Sequence, residues 1–167
     1  SESAILLTTF FSTLLLELEF AIFLGVMLSL GLYLKRTSQP AVRVRAPDPH
    51  QEKRKFASSG DIPECPQLRF VRIDGSLFFG AISYVQERLR DFEEHRPEQK
   101  HLAIIASGIN FIDLAGGEFL VKEAKHLRKL GGQLYLIRGK EHVCGEFKRA
   151  GFIYELGRVN IFACKTE

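Results

Sequence analysis

Two long stretches without a single charge lie at the start of this chain and constrain everything that follows. Ala4 to Leu16 reads AILLTTFFSTLLL and Phe20 to Leu34 reads FAIFLGVMLSLGLYL, with Glu17 and Glu19 between them. A secretory signal would place basic residues ahead of one shorter apolar run and small residues at a cleavage site behind it. Here the opening residues are Ser-Glu-Ser and the basic residues come after the apolar part, so this is not the signal-peptide pattern. The second run holds fifteen uncharged residues, which as a helix cover about 22 Å against a bilayer core of about 30 Å. On length alone, a buried helix of a soluble protein stays open. Two features favour the membrane. The run is apolar on every side, leaving no polar stripe for water. It is followed by Lys35, Arg36, Arg43, Arg45, Lys53, Arg54 and Lys55 against only Asp48 and Glu52. Such a surplus of positive charge marks the cytoplasmic flank of a spanning helix. The sequence therefore predicts one or two transmembrane helices in residues 1–34. Glu17 and Glu19 are expected at a helix–helix junction near the opposite interface, where a carboxylate costs less than at the bilayer centre.

Residues 35–66 read as a basic, proline-rich linker suited to contact with membrane lipid. Five of the six prolines lie there, suppressing helix and favouring extended backbone. From residue 67 the texture is that of a compact domain. A strand is expected around Leu68–Ile73, with SLFF as its continuation or a second strand. The period then becomes helical: Ile82, Val85, Leu89 and Phe92 recur at steps of three and four. HLAIIA reads as a buried strand and SGINFID as a turn. A second helix carries Leu120, Ala124 and Leu127 and is stopped by Gly131 and Gly132. QLYLIR is a strand, Val143, Phe147 and Ala150 mark a third helix ended by Gly151, and NIFACK is a last extended piece. This alternation builds an α/β domain, a mostly parallel sheet with helices packed on it.

Chemistry-bearing patterns are few. A net charge of +3 with no interleaved basic and aromatic residues does not call for nucleic acid. The three cysteines, Cys65, Cys144 and Cys164, lack C-x-x-C spacing and, with five scattered histidines, suggest neither a metal site nor a disulfide framework; they read as free thiols. No phosphate loop of the G-x-x-x-x-G-K type occurs, so no nucleotide or other cofactor is expected. His142 and Cys144, two residues apart on a helix, would face different ways, and no catalytic triad is suggested. An enzyme is not the expected class.

TLLLELEFAIFLGVMLSLGLYLKRTSQP resembles the final membrane helices and exit segment of the sulfate permease (SulP) family of anion transporters. RIDGSLFFGAISYVQERL, INFIDLAGGEFLVKEAKHLRKLGGQLYL and FKRAGF resemble the STAS domain that follows them, named for sulfate transporters and anti-sigma-factor antagonists. The resemblance implies membrane helices in 1–34, a linker over 35–66 and a cytoplasmic STAS domain over 67–167 whose last helix is cut short. It implies a multi-pass cell-membrane protein that moves inorganic anions such as sulfate or bicarbonate. The STAS domain would act in regulation, dimerisation or binding of a cytosolic partner, and would meet its own transmembrane domain. The alternative is a stand-alone or membrane-anchored STAS signalling module. In the family, GSLFFGA leads a strand into the first STAS helix, with Gly75 permitting a bend, Phe78 and Phe79 filling the core and Gly80 allowing close packing. The loop SGINFIDLAGGEF matches the one that carries a phosphorylated serine in anti-sigma-factor antagonists. Here Asp113 is kept, but Leu114 and Ala115 stand where the serines would be, and an alanine has no hydroxyl to phosphorylate. Asp113 is placed to cap the helix that follows. The expected partner-binding residues are Asn110, Phe111, Asp113, Gly117, Glu118, Lys122 and Lys125, with Ile112 turned into the core.

Overall fold

The computed structural model describes residues 2–15, 18–47, 56–58, 64–157 and 160–162. The chain forms two compact units, Ser1–Ser38 and Gln39–Glu167. The first is a helix pair, α1 (Glu2–Leu15) and α2 (Leu18–Thr37). α2 begins before the charge-free run and continues through Lys35 and Arg36 to reach 20 residues, or about 30 Å at 1.5 Å per residue. That matches a bilayer core, which the uncharged run alone did not. Its segment Glu19–Thr37 is long and apolar enough to cross a membrane. A Cβ on Gly25 would lie 2.7 Å from Thr9 Cγ2, so the missing side chain lets α1 and α2 approach closely. Glu19 is exposed in the first turn of α2, whereas Glu17 lies outside the described residues, as do Asp48, Glu52, Lys53, Arg54 and Lys55.

The second unit is built on a sheet of order β2-β1-β3-β4-β6-β7, with β5 paired to one end of β3. Its strands are β1 (Ala41–Pro47), β2 (Phe56–Ser58), β3 (Leu68–Leu77), β4 (His101–Ile105), β5 (Ile109–Ile112), β6 (Leu134–Ile137) and β7 (Ile161–Phe162). The helices are α3 (Phe79–His95), α4 (Leu114–Lys129), α5 (Glu141–Arg149) and the short α6 (Phe152–Leu156). β3–β4, β3–β5, β4–β6 and β6–β7 are parallel, and β1 pairs antiparallel with both β2 and β3. The sheet is thus mixed, with a parallel centre.

Residues 41–47, read as linker, are a strand of the sheet. Val42 is buried while Arg43 is exposed, an alternation that lays one side of the strand on the core. Prolines at 40 and 47 delimit it, since proline is tolerated at strand ends and cannot donate within a ladder. The core joins Val71, Ile73 and Leu77 of β3 to Val85 and Leu89 of α3, Leu120, Ala124 and Leu127 of α4, and Leu134 and Leu136 of β6. Complete burial of each large side chain contributes about 1.5–3 kcal/mol.

The segment RIDGSLFFGA is one strand running into α3. Gly75 has φ of 143°, the β3–β5 register shifts between Gly75 and Ser76, and Pro40 packs where a Gly75 side chain would be, 2.8 Å from its Cβ position. Phe78 and Phe79 do not fill the core as expected. Phe78 is half-buried and Phe79 is 75% exposed, because the chain turns at Phe78 and gives the inward side of α3 to Ala81, Val85 and Leu89. Cys65 is free and exposed, but Cys144 is bonded in a disulfide whose partner lies outside the described residues. The free-thiol reading is corrected there.

Candidate interaction site at the start of α4

The stretch read as a turn before α4 contains a strand. A 3-10 turn, Ala106–Gly108, leads into β5, which pairs with β3 in parallel. Gly108 is required by this close approach, since a Cβ would lie 2.2 Å from Asp74 Oδ1. In β5, Ile109 and Ile112 are buried while Asn110 and Phe111 face out. Ile112 therefore belongs to the core and Phe111, 54% exposed, to the surface.

Asp113 caps α4 as expected: its Oδ1 accepts the Gly116 N–H at 2.7 Å. Its Oδ2 also accepts the N–H of Phe79 at 3.1 Å, the first residue of α3. The residue preceding α3, Phe78, supplies no side-chain cap of its own. One carboxylate thus satisfies orphan donors at two helix starts, and its charge suits the positive ends of both helix dipoles. The start of α4 is fixed against β3 by Gly116, whose Cβ would sit 2.3 Å from the Leu77 carbonyl oxygen. Ala115 is half-buried in the first turn.

Around Asp113 three apolar side chains are exposed: Phe79, Phe111 and Leu114, at 75%, 54% and 64%. A shallow groove of about 270 Å³ runs from Phe111 and Leu114 to Gly117 and Phe152. Glu118, Lys122 and Lys125 are exposed on one face of α4. Lys125 is paired with Glu155 at 2.6 Å, and Asn110 is held by Lys140, which donates to its Oδ1 at 2.7 Å. Gly117 is not a surface residue as expected. It is buried, and a Cβ there would come 2.0 Å from the Phe152 ring, so it serves the packing of α4 against α6. Of the residues expected at a partner surface, Asn110, Phe111, Glu118, Lys122 and Lys125 are exposed, Asp113 is engaged in capping and Gly117 is buried. Phe79 and Leu114 are further exposed apolar residues.

A second polar cluster lies between α3 and α4. Arg90 donates to Glu93 Oε2 at 2.5 Å and to both carboxylate oxygens of Glu123 at 3.1 and 2.8 Å, and His126 Nε2 lies 3.1 Å from Glu93 Oε1. The Glu123 side chain is 4% exposed. Burial pushes its carboxyl above the usual value, only partly offset by Arg90. Burial also pushes Glu93 up, but hydrogen bonds from Arg90 and His126 outweigh it and hold that carboxyl below its usual value. Ligand atoms of Glu93, Glu123 and His126 lie within 4.8 Å of one another, as a metal would need. The Arg90 guanidinium already bridges both carboxylates, with His126 beside Glu93, so the arrangement reads as an ion-pair network joining the helices.

The STAS domain family matches residues 61–163. Sulfate transporter 1.1 of Arabidopsis thaliana is 24% identical over 176 residues, covering 95% of this chain and 27% of that protein. Sulfate transporter 1.2 of the same plant is 25% identical over 163 residues, covering 92% of this chain and 25% of that protein. The chain spans about a quarter of the length of these relatives. Among solved structures, the murine Solute Carrier 26 family member A9 anion transporter in its inward-facing state superposes with a TM-score of 0.82. It is 19% identical, with 97% of this chain and 27% of that one covered. A sulfate transporter family protein from Wolinella succinogenes gives a TM-score of 0.52 at 24% identity, over 69% of this chain and 86% of that one. These likenesses concern the fold.

Proposed function

The chain belongs to the STAS domain family, and from that premise we propose that it is the C-terminal region of a membrane protein that carries small inorganic anions of the sulfate or bicarbonate type. The observation that carries this reading is the extent of the similarity. The alignment with a sulfate transporter runs over 95% of the chain, which takes in α2 as well as the sheet domain. A free signalling module would share the domain alone. The length of α2, its apolar surface on all sides and the basic residues at its end support a spanning helix with the STAS domain in the cytoplasm. On this reading residues 1–34 close the transmembrane domain and the STAS domain begins with β1.

The STAS domain contributes binding. With Ala115 in place of a serine, partner exchange by phosphorylation at that position has no chemical basis. Phe79, Phe111 and Leu114, rimmed by Asn110, Glu118, Lys122 and Lys125, form the contact surface, and Asp113 holds the two helix starts that present it. The occupant is the protein's own transmembrane domain, a second copy in a homodimer, or a cytosolic protein. Transport is tested by uptake of labelled sulfate and bicarbonate into cells expressing the full-length parent. Saturable uptake of either is expected, and no uptake of any anion counts against the assignment. Phe111→Ser with Lys122→Glu in the same protein tests the surface. If folding, dimerisation and transport all stay unchanged, this is not the contact face.

A further inference from the structure

The strand that replaces the expected linker creates a charge arrangement that the sequence did not disclose. In the antiparallel β1–β3 pair Arg43 stands directly opposite Arg72, and Arg45 opposite Phe70. Directly opposed residues share a face, with Cβ atoms about 4.5–5.5 Å apart. Arg43 is exposed; Arg72 is 40% exposed and bonded to Asp74 Oδ1 at 2.6 Å, and Arg45 is half-buried beside them. Among the described residues, the opposed Arg43 and Arg72 thus share one small area of sheet with the Asp74 carboxylate. Like charges directly across a ladder are destabilising. A bound anion relieves that repulsion, and the planar guanidinium fork matches phosphate oxygens two at a time.

The position of this patch along the chain bears on the source of such an anion. Only Ser38, Gln39 and Pro40 separate the end of α2 from the start of β1. Four Cα steps from Thr37 to Ala41 span at most about 14 Å. Pro40 packed on Gly75 fixes where the chain enters the sheet. Arg43 follows two residues later, about 7 Å along the strand.

We propose that Arg43 and Arg72 form a site for the phosphate-bearing headgroup of an anionic lipid in the cytoplasmic leaflet. The site rests on the reading of α2 as a spanning helix. It would hold the first strand of the STAS domain to the membrane surface through charge rather than through the apolar patch at α4.

The test uses the full chain, residues 1–167, purified in detergent and titrated calorimetrically with short-chain phosphatidylserine. Short-chain phosphatidylcholine and inorganic phosphate are run as separate arms. Saturable binding of phosphatidylserine is expected, weakened about fivefold by Arg43→Gln and only partly restored by Arg43→Lys, which keeps the charge but not the fork. Neither phosphatidylcholine nor inorganic phosphate should bind at the same concentrations. Phosphatidylserine binding that is absent, or unchanged in Arg43→Gln, overturns the proposal. Inorganic phosphate binding as tightly as the lipid also overturns it, by making this a free-anion site. A chain that stays soluble without detergent removes the membrane reading itself, and does so before any titration.

Discussion

α2 and α4 are both rich in large apolar side chains, yet they bury them against different surroundings. In α2 Phe20, Phe23, Val26 and Tyr33 are exposed by 63%, 66%, 59% and 65%. In α4 Leu120, Ala124 and Leu127 are exposed by 0%, 1% and 5%, while Glu118, Lys122 and Lys125 take the other side. α4 is amphipathic and buries its apolar side within the protein; α2 leaves its apolar side chains exposed, as a candidate membrane span would. The difference lies in how the residues are arranged around each helix, more than in how many are apolar.

A charge placed on each helix separates the two cases. Leu120→Arg puts an unpaired cation into the packed core and is expected to cost about 5 kcal/mol or more, unfolding the sheet domain. Val26→Arg should leave that domain's denaturation unchanged and instead cost about 3 kcal/mol of membrane insertion. Circular dichroism melts and membrane fractionation of both variants read this directly. Equal damage to folding from both would show that α2 is a core helix of a soluble protein.

The polar seam of α3 and α4 is the next strongest probe. Arg90→Met strands the buried Glu123 carboxylate, and a loss of about 3 kcal/mol is expected in neutral solution. The sign with pH follows from the two shifts. Glu123 sits above its ordinary value of 4.5, so the folded state takes up protons there and stability falls as pH rises through its folded value. Glu93 sits below 4.5 and contributes stability above that value which is lost as pH falls, so the two oppose each other in the native protein. Arg90→Met raises both carboxyls. Its melting temperature should therefore recover toward that of the unsubstituted protein on going from about pH 8 to about pH 5. A constant gap across that range would mean that Glu123 is not the stranded group.

Much of this fold was legible in the sequence, and the misses share a cause. The periods of α3 and α4 announce themselves because Val85 and Leu89, or Leu120, Ala124 and Leu127, repeat at helical spacing over several turns. β1 was hidden by Pro40 and Pro47, although its Val-Arg-Val-Arg alternation is a strand signal. β5 and α6 are four and five residues long, too short for any period to show. At the site, the cap of Asp113 on Gly116 is local and could be read from the chain. Its bond to Phe79, 34 residues away, could not, and neither could the Arg90–Glu123 pairing across two helices. Gly117 was misplaced because a glycine leaves no mark of which side it faces.

Gly117→Ala tests that last correction. The added methyl meets the Phe152 ring, and a loss of about 2 kcal/mol is expected, recovered in part by Phe152→Leu. A neutral effect on the melt would show that α6 moves aside freely. Asp113→Ala should cost about 1.5 kcal/mol, at the upper end for a single cap because two helix starts lose an acceptor. Asp113→Asn should restore part of it. A cost of only a few tenths would mean that the bond to Phe79 adds nothing.

The central claim is that one short chain joins a membrane-spanning helix to a folded STAS domain. Its most direct test is alkaline carbonate extraction of membranes from cells expressing residues 1–167, followed by protease added to the cytoplasmic side. The account predicts that the chain stays in the membrane pellet and that protease reaches the sheet domain while residues within α2 stay protected. Release of intact chain into the carbonate supernatant would contradict it.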